Sequence, residues 1–234
     1  MICYAFPLAH EAEPLLKLCT QKETFFIGGL RCTLANFRDR QVLVAFLGMG
    51  QEQAGNNTMA IFRYFRPKIF ILAGYGGALL PMLKVGQVAV STNYSSSDVI
   101  PFLRLLSNFD FAGFVTADEI AATPAQRDKY ARSSKKEVIE METAAVAAVV
   151  HLREIPFIAV RVISDGYNDI LPVRALAAGF NPARGRATPL RLLAHLALHW
   201  GDIPPFVRFV RNLSAARRNL TRFLQQLHDD LPRS

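Results

Sequence analysis

The sequence predicts an α/β fold: a mixed, mostly parallel central sheet flanked by helices, with a C-terminal helical extension. Three observations predict it. Short apolar runs alternate with amphipathic or Ala-rich runs at helical spacing, the pattern of strands connected through helices. The runs 42–47, 69–72 and 156–163 are apolar with almost no alternation, as expected where both faces of a sheet are covered. Strand candidates end in glycine turns, at Gly48-Met49-Gly50 and Gly74-Tyr75-Gly76-Gly77.

The elements follow in order. Ile2–Phe6 reads as a first strand and 11–18 as the helix after it. Residues 25–27 and 32–37 read as strands joined at Gly28-Gly29. The strand at 42–47 leads through its glycines into a helix at 51–65, with Ala54, Thr58, Ile61, Phe62 and Phe65 on one face and Pro67 stopping it. The strand at 69–72 runs into the second glycine turn, and 85–90 is the next strand. Segment 91–106, polar and then apolar, has no assignable period. Phe114–Thr116 and Val138–Glu140 read as short strands with a helix at 124–131 between them. An Ala/Val-rich helix at 143–152 precedes the last strand, 156–163, whose one polar residue is Arg161. Residues 166–189 read as a loop rich in proline and glycine (Pro172, Gly179, Pro182, Gly185, Pro189). Two amphipathic helices close the pattern, at 190–200 and 206–227. In the second, Phe206, Leu213, Leu220 and Leu227 recur every seven residues, with Phe209, Ala216 and Phe223 between them.

A chain of 234 residues fits one domain of generous size. Its 51% hydrophobic and 20% charged residues exclude a disordered chain. Cys3, Cys19 and Cys32 are odd in number, lack metal-ligand spacing and have apolar neighbours, so we expect reduced, buried thiols in a cytosolic protein and no metal site. The start lacks a basic leader, so no signal peptide is expected, and no apolar stretch reaches the roughly 20 residues of a membrane-spanning helix. The net charge of +8 is uneven: residues 1–173 carry 17 basic and 16 acidic side chains, whereas 174–234 carry 10 arginines and 3 acidic residues. Such a tail fits an acidic surface, whether phospholipid, nucleic acid or a partner; the plainer alternative is a solvated helix face.

Three acidic residues, Glu11, Glu142 and Asp165, each follow an apolar strand. Singly, each is what a helix N-terminus favours, because a carboxylate there offsets the dipole. Together they fall on one side of a parallel sheet, outside the carboxyl ends of strands, where α/β folds place their sites. Three carboxylates placed so are less ordinary than three single caps.

The run Val138-Ile139-Glu140-Met141-Glu142-Thr143-Ala144-Ala145-Val146-Ala147, followed by Pro156-Phe157-Ile158-Ala159-Val160-Arg161-Val162-Ile163-Ser164-Asp165, resembles the nucleoside phosphorylase / methylthioadenosine–adenosylhomocysteine nucleosidase superfamily. Gly48-Met49-Gly50, the stretch from Pro67 through Gly74-Tyr75-Gly76-Gly77-Ala78-Leu79, and Leu83-Lys84-Val85-Gly86-Gln87-Val88-Ala89-Val90 agree in order and spacing. The likeness spans most of residues 1–170. It implies a catalytic domain over 1–187, an Arg-rich helical extension over 188–234 packed on or beside it, cleavage of the bond between ribose and a purine (adenine), and a cytoplasmic homodimer. By the resemblance, Glu142 holds the ribose hydroxyls, Met141 packs under the sugar, Asp165 donates a proton to purine N7, and Glu11 activates water, with Glu13 as the rival for that last role. Ile120 falls near the residue that flanks the base; Glu140, Ser164, Gly74 and Tyr75 are carried over as substrate-binding.

The chemistry makes sense of these residue types. Cleavage builds positive charge on the sugar and negative charge on the leaving base, and a general acid on the base is worth ~10²–10⁴-fold. Asp165 should therefore have a raised pKa from partial burial. A phosphate nucleophile needs a cationic cradle. Pro7-Leu8-Ala9-His10 offers neither Gly nor Arg, 69–72 brings no Arg, and Tyr75 stands where the phosphorylases place a serine, so water is favoured and no cofactor is expected beyond inorganic phosphate in the phosphorylase alternative. A catalytically silent nucleoside-binding relative is a further alternative, supported by Tyr75 and the short stretch between Val90 and Phe114, opposed by Glu142 and Asp165.

Asn168-Asp169-Ile170-Leu171-Pro172, the Pro/Gly loop and the two Arg-bearing helices resemble the hopanoid-associated members of the superfamily, which release adenine from adenosylhopane. That resemblance implies a lipid-linked adenosine and peripheral contact with anionic membrane, the alternative being helices that pack on the body or form a dimer seam. No recognised nucleic-acid motif accompanies the arginines, so no nucleic-acid partner is expected.

Overall fold

The computed structural model describes residues 1–181, 186–187 and 189–232. Pro182, Gly185 and residue 188, where the expected boundary falls, lie outside the described residues. In chain order come β1 (Ile2–Phe6), α1 (Ala9–Leu18), β2 (Cys19–Ile27), β3 (Leu30–Phe37), β4 (Arg40–Phe46), α2 (Gln51–Tyr64), β5 (Ile69–Ala78), β6 (Val88–Ser91), the one-turn α3 (Ile100–Leu103) and β7 (Asp110–Ala112). They are followed by β8 (Phe114–Thr116), α4 (Pro124–Ser134), β9 (Val138–Glu140), α5 (Thr143–His151), β10 (Phe157–Asp165), α6 (Val173–Gly179), the pair β11 (Phe180–Asn181) and β12 (Arg186–Ala187), α7 (Pro189–Leu198), a 3-10 turn and α8 (Ile203–Asp230).

Ten strands form one mixed sheet, in the order β2-β3-β4-β1-β5-β10-β6-β7, with β9 on the far end of β5 and β8 on β9. The four central strands β4, β1, β5 and β10 are parallel. Hairpin pairing makes β2 and β3 antiparallel, and β6 runs antiparallel to β10. The continuous apolar strands are explained by cover on both faces. On one face Tyr4, Val44, Ile71 and Val160 pack with Leu15 of α1 and with Leu220, Phe223, Leu224 and Leu227 of α8. On the other, Ala5, Leu43, Leu72 and Ala159 pack with Ile61 and Phe62 of α2 and with Val146 and Val150 of α5. Each fully buried Leu, Val or Phe contributes about 1.5–3 kcal/mol. The C-terminal half of α8 is thus a structural part of the main core. The three cysteines are free and buried. Among the described residues no helix is long and apolar enough to cross a membrane.

Three expectations are corrected. Gly74-Tyr75-Gly76-Gly77 is strand, not turn: β5 runs through it to Ala78. A Cβ on Gly76 would lie 2.8 Å from Val138 Cγ1, and one on Gly77 2.9 Å from Asp165 Oδ2, so these glycines make room for neighbouring side chains. The positive φ of a true turn occurs instead at Gly48 and Gly50. The stretch 166–189 is not all loop, because Arg174-Ala175-Leu176-Ala177-Ala178 forms most of α6, a run of good helix formers set between Pro172 and Gly179. Nor is β10 the last strand, since β11 and β12 pair antiparallel after it.

Candidate active site

The carboxyl ends of β1, β4, β5 and β10 lie along one edge of the sheet. Glu11 enters from the first turn of α1. Its Oε2 accepts the Leu8 N–H at 2.7 Å, a local helix cap, and its Oε1 accepts the Tyr75 N–H of β5 at 2.9 Å. The residue is 3% exposed, and that burial pushes its carboxyl up to about 8 against the two amides and nearby Arg161, which favour the charge.

Glu140 ends β9 and Glu142 precedes α5. Glu140 Oε2 accepts the N–H groups of Glu142 and Thr143 at 2.9 and 2.8 Å, the Thr143 hydroxyl at 2.6 Å, and Arg161 Nη2 at 2.6 Å. Its other oxygen accepts the Thr116 hydroxyl. Burial alone would raise this carboxyl, but Arg161 and the hydroxyl and amide donors outweigh it and hold the pKa below the usual range. The orphan amides of the α5 N-terminus are thereby capped by an ionised carboxylate. Glu142 receives less: Gly50 N–H reaches Oε1 at 3.0 Å and Arg161 Nη2 reaches Oε2 at 3.3 Å. Burial dominates and its pKa is raised. Arg161, with no exposure, thus ties Glu140 to Glu142 from the middle of β10.

Asp165 sits at the end of β10, where the pairing with β5 shifts register between Ile163 and Asp165. Such an irregularity re-aims a side chain. Oδ1 accepts the Ser164 hydroxyl at 2.6 Å, and Oδ2 pairs with Arg127 Nη2 at 2.6 Å. Burial raises its pKa, opposed by Arg127 and Ser164, as the sequence led us to expect in direction.

These groups surround a cavity of about 190 Å³. Glu11, Glu142 and Asp165 all line it, as do Met141, Glu140, Ser164, Tyr75 and Ile120. Met49 joins them, and Leu171, Leu176 of α6 and Phe209 and Leu213 of α8 form an apolar wall. Larger clefts of about 530 and 630 Å³ occur elsewhere, but neither brings buried carboxylates together. Among the described residues no Lys or Arg lines the small cavity. None of their His, Cys, Asp and Glu side chains group to hold a metal ion.

Two expected residues fall elsewhere. Gly74 is not in the cavity wall: a Cβ there would come 3.0 Å from Glu11 Oε1 and 3.4 Å from Arg161 Nη1, so its bare backbone separates those two groups. Glu13 is exposed and faces Arg217 at 3.8 Å, which leaves Glu11 as the first-turn carboxylate in the cavity. Tyr75 contributes its backbone amide to Glu11, while its ring packs with the core under α1 and α8, 5.5 Å from the His10 ring. Sequence reasoning left Arg161 without a role, although a lone arginine in an apolar strand was a visible signal. It missed Arg127 and Thr116, which nothing in the local pattern marks, and it noticed the Gly48-Met49-Gly50 turn without assigning the Gly50 amide to Glu142.

A family profile of the Phosphorylase superfamily matches residues 2–113 and 113–188, and the chain belongs to that superfamily. The 5′-methylthioadenosine/S-adenosylhomocysteine nucleosidase of Actinobacillus succinogenes is 26% identical over 207 residues, 72% of this chain and 90% of the relative. Its counterpart from Listeria welshimeri is 25% identical over 193 residues, 68% of this chain and 83% of the relative. Among solved structures, S-adenosylhomocysteine nucleosidase from Streptococcus pyogenes in complex with 5-methylthiotubericidin superposes with a TM-score of 0.75 at 15% identity, covering 99% of this chain and 97% of the other. A futalosine hydrolase mutant of Helicobacter pylori gives 0.76 at 15% identity, covering 98% and 99%. The fold is theirs: a mixed sheet, flanking helices and a C-terminal helix.

Proposed function

We propose that this protein hydrolyses the N-glycosidic bond of an adenine nucleoside. The observation that carries the reading is the convergence of Glu11, Glu142 and Asp165, all buried, on one cavity at the strand ends of a Phosphorylase-superfamily chain. Asp165 protonates N7 as the bond breaks. Glu142 grips the ribose hydroxyls, with bonds that strengthen as the sugar becomes cationic. Met141 packs beneath the sugar and Ile120 against the base. Glu11 takes the proton from the attacking water. Glu140, saturated by protein donors, holds Arg161 and the α5 N-terminus rather than the ligand. Water is favoured over phosphate because the cavity is lined by carboxylates, and because Arg161 already faces two of them.

The apolar wall of Leu171, Leu176, Phe209 and Leu213 supports a substrate whose 5′ substituent is apolar, a lipid-linked adenosine such as adenosylhopane. Exposed Leu198 of α7, Trp200 of the 3-10 turn, and Val207 and Val210 of α8 stand near exposed Arg208 and Arg211 in the sequence, which supports peripheral contact of a cytoplasmic enzyme with anionic membrane. A homodimer completes this reading. The test incubates the protein with adenosine, methylthioadenosine and a lipid-linked adenosine, with and without phosphate, and follows free adenine. Release without phosphate is expected, fastest from the lipid-linked compound; a requirement for phosphate would defeat the hydrolase. Co-sedimentation with anionic vesicles at low salt, released by high salt, checks the membrane contact.

A further inference from the structure

Arg127 is among the largest fully buried side chains of the molecule, yet it belongs to a helix that is otherwise polar. Its place is set locally. Thr123 caps α4, accepting the Gln126 N–H at 3.3 Å, and the Gln126 side chain reaches back to the Thr123 N–H at 3.1 Å, with Pro124 opening the helix. One residue further on, Arg127 points inward. Nε donates to the Ala121 carbonyl at 3.1 Å, Nη1 to the Gly166 carbonyl, and Nη2 to Asp165 Oδ2 at 2.6 Å. Two separate stretches of the cavity surroundings, at Ala121 and at Asp165-Gly166, are held by one planar fork, which a lysine cannot reproduce.

Building on the reaction proposed above, we infer that Arg127 is the positioning residue of the general acid: it fixes Asp165 Oδ2 and leaves Oδ1 as the oxygen that hands its proton to the base. Oδ2 accepts from a guanidinium, which has no lone pair with which to take a proton. Among the described residues Oδ1 has only the Ser164 hydroxyl, which can turn to accept from a protonated acid or donate to an ionised one. In the step itself the proton moves from Oδ1 to N7. The electron pair of the C–N bond stays with the base, water oxygen bonds to the anomeric carbon, and the water proton goes to Glu11. Asp165 is left anionic, 2.6 Å from a guanidinium that stabilises the new charge. Arg127 therefore makes Asp165 a stronger acid as transfer proceeds.

The other charges facing Asp165 are few. Asp169, in the following loop, opposes its ionisation and is itself approached by Arg208 of α8 at 3.7 Å. Glu119 and the glutamates Glu11, Glu140 and Glu142 lie around the same cavity. Arg127 is the cation in direct contact.

The test uses Arg127→Gln and Arg127→Lys. Asp165 must be protonated to act, so kcat falls on the alkaline side as it ionises. Arg127 favours the ionised form. Its removal should move that alkaline limb up by ~1–3 pH units and lower the plateau on the order of tenfold, with Arg127→Lys lying nearer the unsubstituted protein. A structural role alone would lower activity without moving the limb. Carboxyl ¹³C titration of Asp165, assigned by its absence in Asp165→Asn, reads the same shift without substrate. An unmoved midpoint in folded Arg127→Gln overturns the inference. Should that variant fail to fold, the unsubstituted protein decides: the guanidinium ¹⁵N resonances of Arg127, assigned with Arg127→Lys, must follow the Asp165 titration, and resonances blind to it overturn the pairing. A shifted midpoint in a protein that releases no base supports the pairing and overturns the proposed reaction.

Discussion

Replacing Arg161 by Met should destabilise the protein by about 3–5 kcal/mol at neutral pH, the usual effect of stripping one partner from a buried ion pair. The full figure applies because neither Arg161 nor the Glu140 carboxylate has any side-chain exposure, so water cannot replace the lost partner. Four donor contacts disappear together, from Nη2 to Glu140 at 2.6 Å, Thr143 at 3.2 Å and Glu142 at 3.3 Å, and from Nη1 to the Val160 carbonyl at 3.3 Å. At about 2–4 °C per kcal/mol for a domain of this size, the melting temperature should drop by roughly 6–20 °C. The dependence on pH identifies the cause. In the unsubstituted protein the folded pKa of Glu140 is lowered, so its contribution is present above the unfolded value and is lost as pH falls through the folded one. Without Arg161, burial raises that pKa above the unfolded value. The contribution then reverses: it is present at low pH and lost as pH rises. The gap between variant and parent should therefore widen from about pH 4 to pH 7. Urea denaturation across that range measures it. The double variant Glu140→Gln/Arg161→Met should be more stable than Arg161→Met alone. A gap below about 1 kcal/mol, or one constant with pH, would refute the reasoning.

Asp165→Asn leaves buried Arg127 without its counter-charge, so it should lower the melting temperature by roughly 6–20 °C and, in the folded protein, lose ~10²–10⁴-fold in base release, read by adenine formation. Because burial lifts Glu11 to about 8, activity should rise through that pH as the base loses its proton, and Glu11→Gln should abolish the limb. The same raised pKa means that Glu11 favours folding below its unfolded value and loses that contribution as pH rises towards 8, so Glu11→Gln should flatten the stability curve between about 4.3 and 8, checked by thermal melts in a pH series. Gly76→Ala, whose new methyl would lie 2.8 Å from Val138 Cγ1 across the β5–β9 pair, should cost about 1–3 kcal/mol in denaturant titration.

Most of the sheet was legible because its central strands are almost continuously apolar, and Val138–Glu140 was bounded to the residue; β2 was read only over 25–27 because Thr20–Thr24 is polar and exposed. The glycine run of β5 was misread because glycine marks both turns and close approach, and only the neighbours Val138 and Asp165 decide between them. α6 was hidden because Pro172 and Gly179, read as loop residues, are a helix's boundaries. The three carboxylates were legible as residues at strand ends. How strongly each is held was not, since Glu140 and Glu142 differ by two positions yet shift in opposite directions: the donors that Arg161 and Thr116 bring from distant segments outweigh burial at Glu140, whereas burial outweighs Arg161 and the Gly50 amide at Glu142. Arg127 carried no signal at all: its burial depends on Ala121, Asp165 and Gly166 meeting around it.

The double duty of α8 bears on how the protein is made. Its C-terminal half covers β1, and the bond between Tyr4 and His228 spans 224 positions of sequence. At ~5–20 residues per second, β1 leaves the ribosome many seconds before its cover exists. One face of the nascent sheet has only α1 as cover for that interval, which leaves part of the surface around Tyr4, Val44 and Ile71 open to any apolar partner. Phe209 and Leu213, on the same helix, close the cavity wall only then. Chaperone occupancy during synthesis should therefore fall on the first half of the chain, and slow, long-range closure rather than local helix formation should set the refolding rate.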